Sequence, residues 1–80
     1  MTPEEIEASR HLIHYYDGEG GWEPGSFTFH LIRALHTADH LNKYKLLAAF
    51  PQFKAPMRIL EDEDGLAALQ AMVTGGPTIK

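Results

Sequence analysis

Apolar residues recur along this chain at helical spacing. No glycine or proline interrupts residues 26–50, and six apolar side chains there follow a 3.6-residue period: Phe27, Leu31, Ala34, Leu35, Ala38 and Leu41. The pattern predicts that these six line a core. Leu46, Leu47 and Phe50 are out of phase with it, and Asp39 is a good residue to cap a new helix. We therefore expect two helices that meet near residues 37–39 rather than one bent helix.

The start of the chain predicts another helix. Thr2 suits the cap, Pro3 suits the first helical position, and Glu5 stands three residues after Thr2, as in a capping box. Apolar or small residues then recur at helical spacing: Ile6, Ser9, Ile13 and Tyr16, with Leu12 beside them. This helix should end near Tyr16, because residues 17–25 are rich in glycine and also contain proline. Ser26 is the expected cap of the next helix.

The second half of the chain predicts short helices. Phe50, Phe53, Met57 and Leu60 have helical spacing, with Pro56 delaying or kinking that helix, and Leu66, Leu69, Met72 and Val73 indicate a last one. No segment alternates like a strand. The predicted fold is all-α: a compact bundle of four to five short helices with a Gly-rich loop after the first helix. We expect one domain over residues 1–73 and a flexible tail over residues 74–80.

Composition excludes several classes of function. Cysteine is absent, so thiolate catalysis, disulfides and cysteine-ligated metals are excluded. Eighty residues leave little room for an enclosed substrate pocket. No apolar run approaches the roughly 20 residues that span a bilayer, and the first residues do not resemble a signal peptide. These features predict a cytoplasmic protein without a membrane partner and without a cofactor.

Charge is distributed unevenly along the chain, whose formal net charge is −4. Residues 1–25 carry six acids and one base, residues 26–60 carry five bases and one acid, and residues 61–80 carry four acids and one base. Two interpretations stay open. The acidic ends fold back on the basic centre, or the centre faces an acidic partner. Nucleic acid is an unlikely partner, because a basic face would have to outweigh a negative domain.

One predicted helix face carries protonatable and basic side chains. If the segment is continuous, His30, Arg33, His36, His40 and Lys43 fall within an arc of about 140° opposite the apolar stripe. We predict that these five residues bind a partner protein. Protonation of all five histidines of the chain would change its formal charge from −4 to +1, so association should respond to pH between roughly 5 and 7.

Two interpretations are open for Trp22, in the Gly-rich loop. It folds back as a lid on the core, or it is a further anchor for the partner, since tryptophan is a frequent hot-spot residue.

A metal site is the alternative function of the same segment. His36 and His40 are four residues apart with Asp39 between them, a spacing at which two imidazoles can share an ion. His11 and His14 could add ligands. A small metal-dependent enzyme or metal-binding protein using His36, Asp39 and His40 is therefore the second hypothesis. The competing interpretation is that these histidines are simply solvated.

The segment from Pro24 to Pro51 resembles small, largely uncharacterised helical proteins of bacteriophages and prophages. The shared residues are Pro24, Ser26, Phe27, Leu31, Ile32, Ala34, Leu35, Ala38, Asp39, Asn42, Leu46, Phe50 and Pro51. In those proteins a proline often follows the aspartate, where this chain has His40.

The resemblance implies a phage or prophage origin and transfers no catalytic residue. It favours a non-enzymatic protein that binds and modulates a host protein, such as a defence-system inhibitor or a host-takeover factor. The partner is expected to be a host or phage protein. Self-association is a compatible further prediction, because short helices with many apolar residues can bury surplus surface in a dimer.

Overall fold

The computed structural model describes residues 1–74 and confirms the all-α prediction. Five α-helices and one 3-10 turn follow one another in that range. They are α1 (Pro3–Tyr15), α2 (Ser26–Thr37), α3 (His40–Ala49), a 3-10 turn (Pro51–Phe53), α4 (Lys54–Leu60) and α5 (Gly65–Val73). The predicted tail over residues 74–80 lies outside the described residues, apart from Thr74. No helix in the described range is long and apolar enough to cross a membrane.

The first helix begins as its sequence predicts. Thr2 Oγ1 accepts a hydrogen bond from the Glu5 backbone N–H at 3.1 Å, and Glu5 Oε1 accepts one from the Thr2 backbone N–H at 2.8 Å. This reciprocal pair satisfies two N–H groups at the helix start. At the other end, Asp17 adopts a left-handed conformation with φ 60°. The Gly18 N–H bonds to the carbonyl oxygen of Ile13 at 2.8 Å, as in a Schellman motif.

The long apolar segment does divide into two helices. Asp39 Oδ1 accepts the Asn42 N–H at 2.9 Å and so caps α3, while Ala38 leaves α2 in an extended conformation. The cap predicted for α2 is wrong. Gly25 occupies that position without a side-chain hydrogen bond, and Ser26 is the first helical residue.

The core forms around α1, which contacts α2, α4, α5 and the 3-10 turn. Its largest completely buried hydrophobic side chains are Leu12, Ile13, Ile32, Leu35 and Leu69. Phe53, Met57 and Val73 are buried beside them. Pro56 is buried in the first turn of α4, where a proline removes no helical hydrogen bond.

Two members of the predicted apolar stripe are not in the core. Phe27, in the first turn of α2, and Leu41, in the first turn of α3, are 65 and 64% exposed. Leu41 leaves the core because the break at Asp39 changes the direction and phase of the helix that carries it. The predicted apolar stripe therefore matches the observed core only between Leu31 and Leu35.

The Gly-rich loop is tied to two helices. Arg10 donates to the Gly20 carbonyl oxygen at 2.7 Å and to that of Val73 at 3.1 Å, so one guanidinium joins the loop to α5. Gln70 of α5 donates to the Glu19 carbonyl oxygen at 3.0 Å. The loop backbone is thus held at several points although most of it is exposed.

Candidate interaction surface

The predicted basic face is split between two helices. His30, Arg33 and His36 lie on α2, whereas His40 and Lys43 lie on α3, beyond the break. The two histidines and the arginine of α2 are exposed, and so is His40. The 140° arc required one continuous helix, so these residues do not form the single stripe that the spacing predicted.

His36 is engaged by the end of the first helix. Its Nδ1 lies 3.0 Å from Tyr16 Oη, and its ring packs against those of Tyr15 and Tyr16. Burial raises the pKa of Tyr16, and the neighbouring Tyr15 adds to this effect. The phenol therefore keeps its proton at neutral pH and can donate it to a neutral His36. This contact ties the C-terminal end of α2 to that of α1.

Lys43 is also engaged within the domain. Its Nζ lies 2.7 Å from Glu61 Oε2, the first acid of the run that follows α4. The hydrogen bond and charge of Lys43 lower the pKa of Glu61. One part of the acidic C-terminal segment thus folds back on the basic centre, as the first of the two charge interpretations expected.

The remaining bases of the central segment keep the second interpretation open. Arg33, Lys45, Lys54 and Arg58 are exposed, and within residues 1–74 none of them lies within ion-pair distance of a carboxylate. The centre of the chain therefore presents four basic side chains that form no ion pair in the described structure, although the charge of Arg58 adds slightly to the lowering of the Glu61 pKa by Lys43.

The structure gives no support to the metal hypothesis. In the described range, no three His, Asp or Glu side chains are placed so that they could hold one ion. Asp39, the middle residue of the predicted triad with His36 and His40, uses Oδ1 to cap α3. His36 faces Tyr16, and among the supplementary ligands His11 pairs with Glu7 at 3.6 Å.

Trp22 folds back onto α1, but the prediction that it covers the core is wrong. Its backbone N–H donates to the Arg10 carbonyl oxygen, and its carbonyl oxygen lies 3.0 Å from His11 Nδ1. The Arg10 guanidinium lies over the indole, 4.7 Å from the ring centroid. The ring is 50% exposed, so it covers a cation rather than the apolar core and presents its outer side to solvent.

An exposed apolar surface lies on α3, where the sequence pattern predicted that Leu41 is buried. Leu41 and Tyr44 are 64 and 70% exposed, and Lys45 and Ala48 are exposed beside them. At 100° per residue these four residues span an arc of about 100°. We call them the α3 face. Lys43, Leu46 and Leu47, on the opposite side of α3, are half-buried.

A sequence signal for the α3 face was present. Once Asp39 is accepted as a helix cap, the phase of the helix before it no longer applies to the residues after it. Leu46 and Leu47 then define the inner side of α3, and Leu41 and Tyr44 fall on the outer side.

Comparisons with protein-family models, curated proteins and solved structures found no match to this chain. No relative therefore indicates what the α3 face binds.

Proposed function

We propose that this protein is a non-enzymatic binding module whose α3 face docks on an acidic surface of a partner protein. The observation that carries the proposal is the exposure of α3. It is the one α-helix among residues 1–74 that buries none of its residues, although it carries a leucine and a tyrosine on its outer side.

The composition of the α3 face suits a protein interface. Interface cores are enriched in aromatic residues, and a few large side chains near the centre provide most of the binding energy. Tyr44 and Leu41 supply such side chains on a rigid helix. Ala48 leaves room for a partner to approach the helix closely, and Lys45 adds a positive charge at the same face.

Charge favours an acidic occupant over other partners. The unpaired bases Arg33, Lys45, Lys54 and Arg58 come from α2, α3 and α4, so the central segment keeps a positive surplus after Lys43 has paired with Glu61. Complementary charge increases the association rate and favours acidic partners over basic ones.

The biological role follows from the phage resemblance and belongs to the same proposal. A small protein of this kind acts in the host cytoplasm, where it binds and modulates a host protein involved in defence or in cell takeover. Trp22, His30, Arg33, His36 and His40 remain candidates for the periphery of the interface, because all five are exposed. Protonation of the three histidines would add positive charge and so strengthen attraction to an acidic partner.

The test compares two faces of the same protein. Wild type, Leu41→Ser/Tyr44→Ser and a control Met72→Ser are used to capture proteins from host lysate, and binding of the captured protein is then measured with purified components. Met72 is a large apolar residue on another helix, α5, and is 47% exposed, less than Leu41 or Tyr44. All three proteins should melt at similar temperatures, because none of the substitutions touches the core.

The proposal predicts that the double variant binds at least about tenfold more weakly, a loss of about 1.4 kcal/mol. The control should bind like wild type, and wild-type affinity should fall as salt screens the charges. Equal binding by the double variant and wild type contradicts the proposal. So does sedimentation showing that the α3 face pairs with a second copy of the chain.

A further inference from the structure

A second candidate site lies beside the start of α2, where the Gly-rich loop meets the end of α1. A hollow of about 450 Å³ opens there to solvent, within the range of about 300–1,000 Å³ that is usual for small-molecule sites. The residues that line it include the aromatic Tyr15 and Phe29 and the acidic Asp17 and Glu23. It shares no residue with the α3 face.

The lining combines aromatic rings with unpaired carboxylates. The ring centroids of Tyr15 and Phe29 are 5.8 Å apart with their planes tilted by 52°, so the two aromatic residues that line the hollow also contact each other. In residues 1–74, neither Asp17 nor Glu23 has a basic side chain within ion-pair distance. Rings attract cations through their faces, and the carboxylates add two formal negative charges.

The positive groups near the hollow do not cancel those charges. Ser26 begins α2 at the rim, and the helix terminus contributes roughly half a positive charge. His14 also lines the hollow, and even a full positive charge on its ring would leave the sum negative beside two carboxylates. The hollow therefore remains net negative.

The position of Asp17 in the backbone adds to the argument. It has φ 60° and closes α1 at the place where helices most often have glycine. The left-handed conformation disfavours a side chain, although aspartate tolerates it better than most residues. Glycine would be less strained here, and the chain instead places a carboxylate at the edge of the hollow.

We infer that this hollow binds the guanidinium group of an arginine side chain. A planar guanidinium can stack on a ring and donate to two carboxylates at once, which a compact ammonium cannot do as well. The bonds from Arg10 and Gln70 fix the backbone of Gly20 and Glu19, between the lining residues Asp17 and Glu23, and a loop that is fixed before binding has a smaller ordering cost on association. The source of the arginine is a peptide or protein.

The experiment uses the full chain and a defined probe. Nα-acetyl-arginine amide is titrated into labelled protein at about pH 8, and binding is followed by backbone and aromatic NMR shifts. Nα-acetyl-citrulline amide has a planar side-chain group of similar shape but no positive charge. Nα-acetyl-lysine amide has a positive charge on an ammonium group that is not planar. Shifts should be confined to residues around the hollow, with citrulline binding at least about fivefold more weakly and lysine in between.

Variants separate the site from general charge attraction. Asp17→Asn/Glu23→Gln should weaken arginine binding by about fivefold or more, whereas Glu19→Gln, in the same loop but outside the lining, should leave it unchanged. Asp17→Gly should weaken binding while raising or preserving the melting temperature, which shows that the loss does not come from unfolding.

Any one of three results would overturn the inference. The first is equal affinity for the arginine and citrulline amides, and the second is an equal loss of arginine binding in the Glu19→Gln control and in the double variant. The third is NMR shifts that are spread over the whole protein surface. Failure here leaves the α3 face untouched, because the two sites have no residue in common.

Discussion

Gly21 gives the sharpest test of how the loop packs, because a single added methyl group would collide with the backbone of α1. A Cβ atom at Gly21 would lie 2.4 Å from the His14 backbone nitrogen and 2.6 Å from its Cα atom. Ordinary van der Waals contacts begin near 3.4 Å. In a Gly21→Ala variant, the loop or the helix must therefore withdraw by about 1 Å, since neither obstacle is a flexible side chain.

The expected cost follows from what must move. His14 follows Ile13 in α1, and Ile13 is completely buried, so the loop moves rather than the helix. Overpacking costs about 1–3 kcal/mol, and a strained Trp22-to-Arg10 backbone hydrogen bond adds up to about 1 kcal/mol. We expect a loss of about 2–3 kcal/mol from the free energy of unfolding. For a domain of this size, that lowers the melting temperature by roughly 8–24 °C.

Gly25→Ala is the matched control. Nothing lies within 4 Å of a Cβ atom at Gly25, and its backbone is extended, so only the preference for glycine over alanine at a helix cap is lost, at most about 1 kcal/mol. Urea unfolding followed by far-ultraviolet circular dichroism compares the two variants. If Gly21→Ala is within about 0.5 kcal/mol of Gly25→Ala, the loop does not pack on α1 as described.

Three other substitutions test separate features of the fold. Asp39→Ala should lose about 1 kcal/mol of stability in urea unfolding, since it removes the α3 cap; an unchanged midpoint contradicts the cap. Ser9→Ala should change stability by less than about 0.5 kcal/mol in the same assay, although Ser9 is completely buried, because its hydroxyl donates to the Glu5 carbonyl oxygen within the same helix and otherwise only to the weak acceptor Met1 Sδ at 3.5 Å. A loss of more than about 2 kcal/mol from the free energy of unfolding would show that the Ser9 hydroxyl contributes more than this hydrogen bonding explains.

Glu61→Gln should lose about 0.5 kcal/mol at neutral pH. Lys43 lowers the pKa of Glu61 in the folded state below its value in the unfolded state. The pair therefore stabilises the fold fully above the unfolded-state pKa of Glu61. The difference in the free energy of unfolding between wild type and variant should vanish as the pH falls through the folded-state pKa. A difference that persists in acid would contradict the pairing.

Local rules predicted most of the fold. The capping box at Thr2 and the cap at Asp39 depend on residues three apart, and such short-range patterns can be read from sequence alone. The cap of α2 was misplaced by one residue. Gly25 and Ser26 are both acceptable caps, and local preference does not separate them.

Burial was harder to predict where it depends on the path of the chain. Leu41 fits the α2 stripe, and Trp22 has the size of a core residue, but both are exposed. The break at Asp39 turns Leu41 outward, and the Arg10 guanidinium holds the Trp22 ring at the surface. The hollow beside α2 could not be predicted, since it depends on how residues 17–24 return toward Tyr15 and Phe29.

The central claim is that the α3 face is the docking surface. A photo-crosslinking p-benzoylphenylalanine at Tyr44, compared with the same group at Met72, tests it most directly in living cells that express the protein. The account predicts one dominant heterologous product from position 44, with the crosslink mapped by mass spectrometry to an acidic surface of the partner, and no such product from position 72. Equal crosslinking from both positions, or products from position 72 alone, would contradict it.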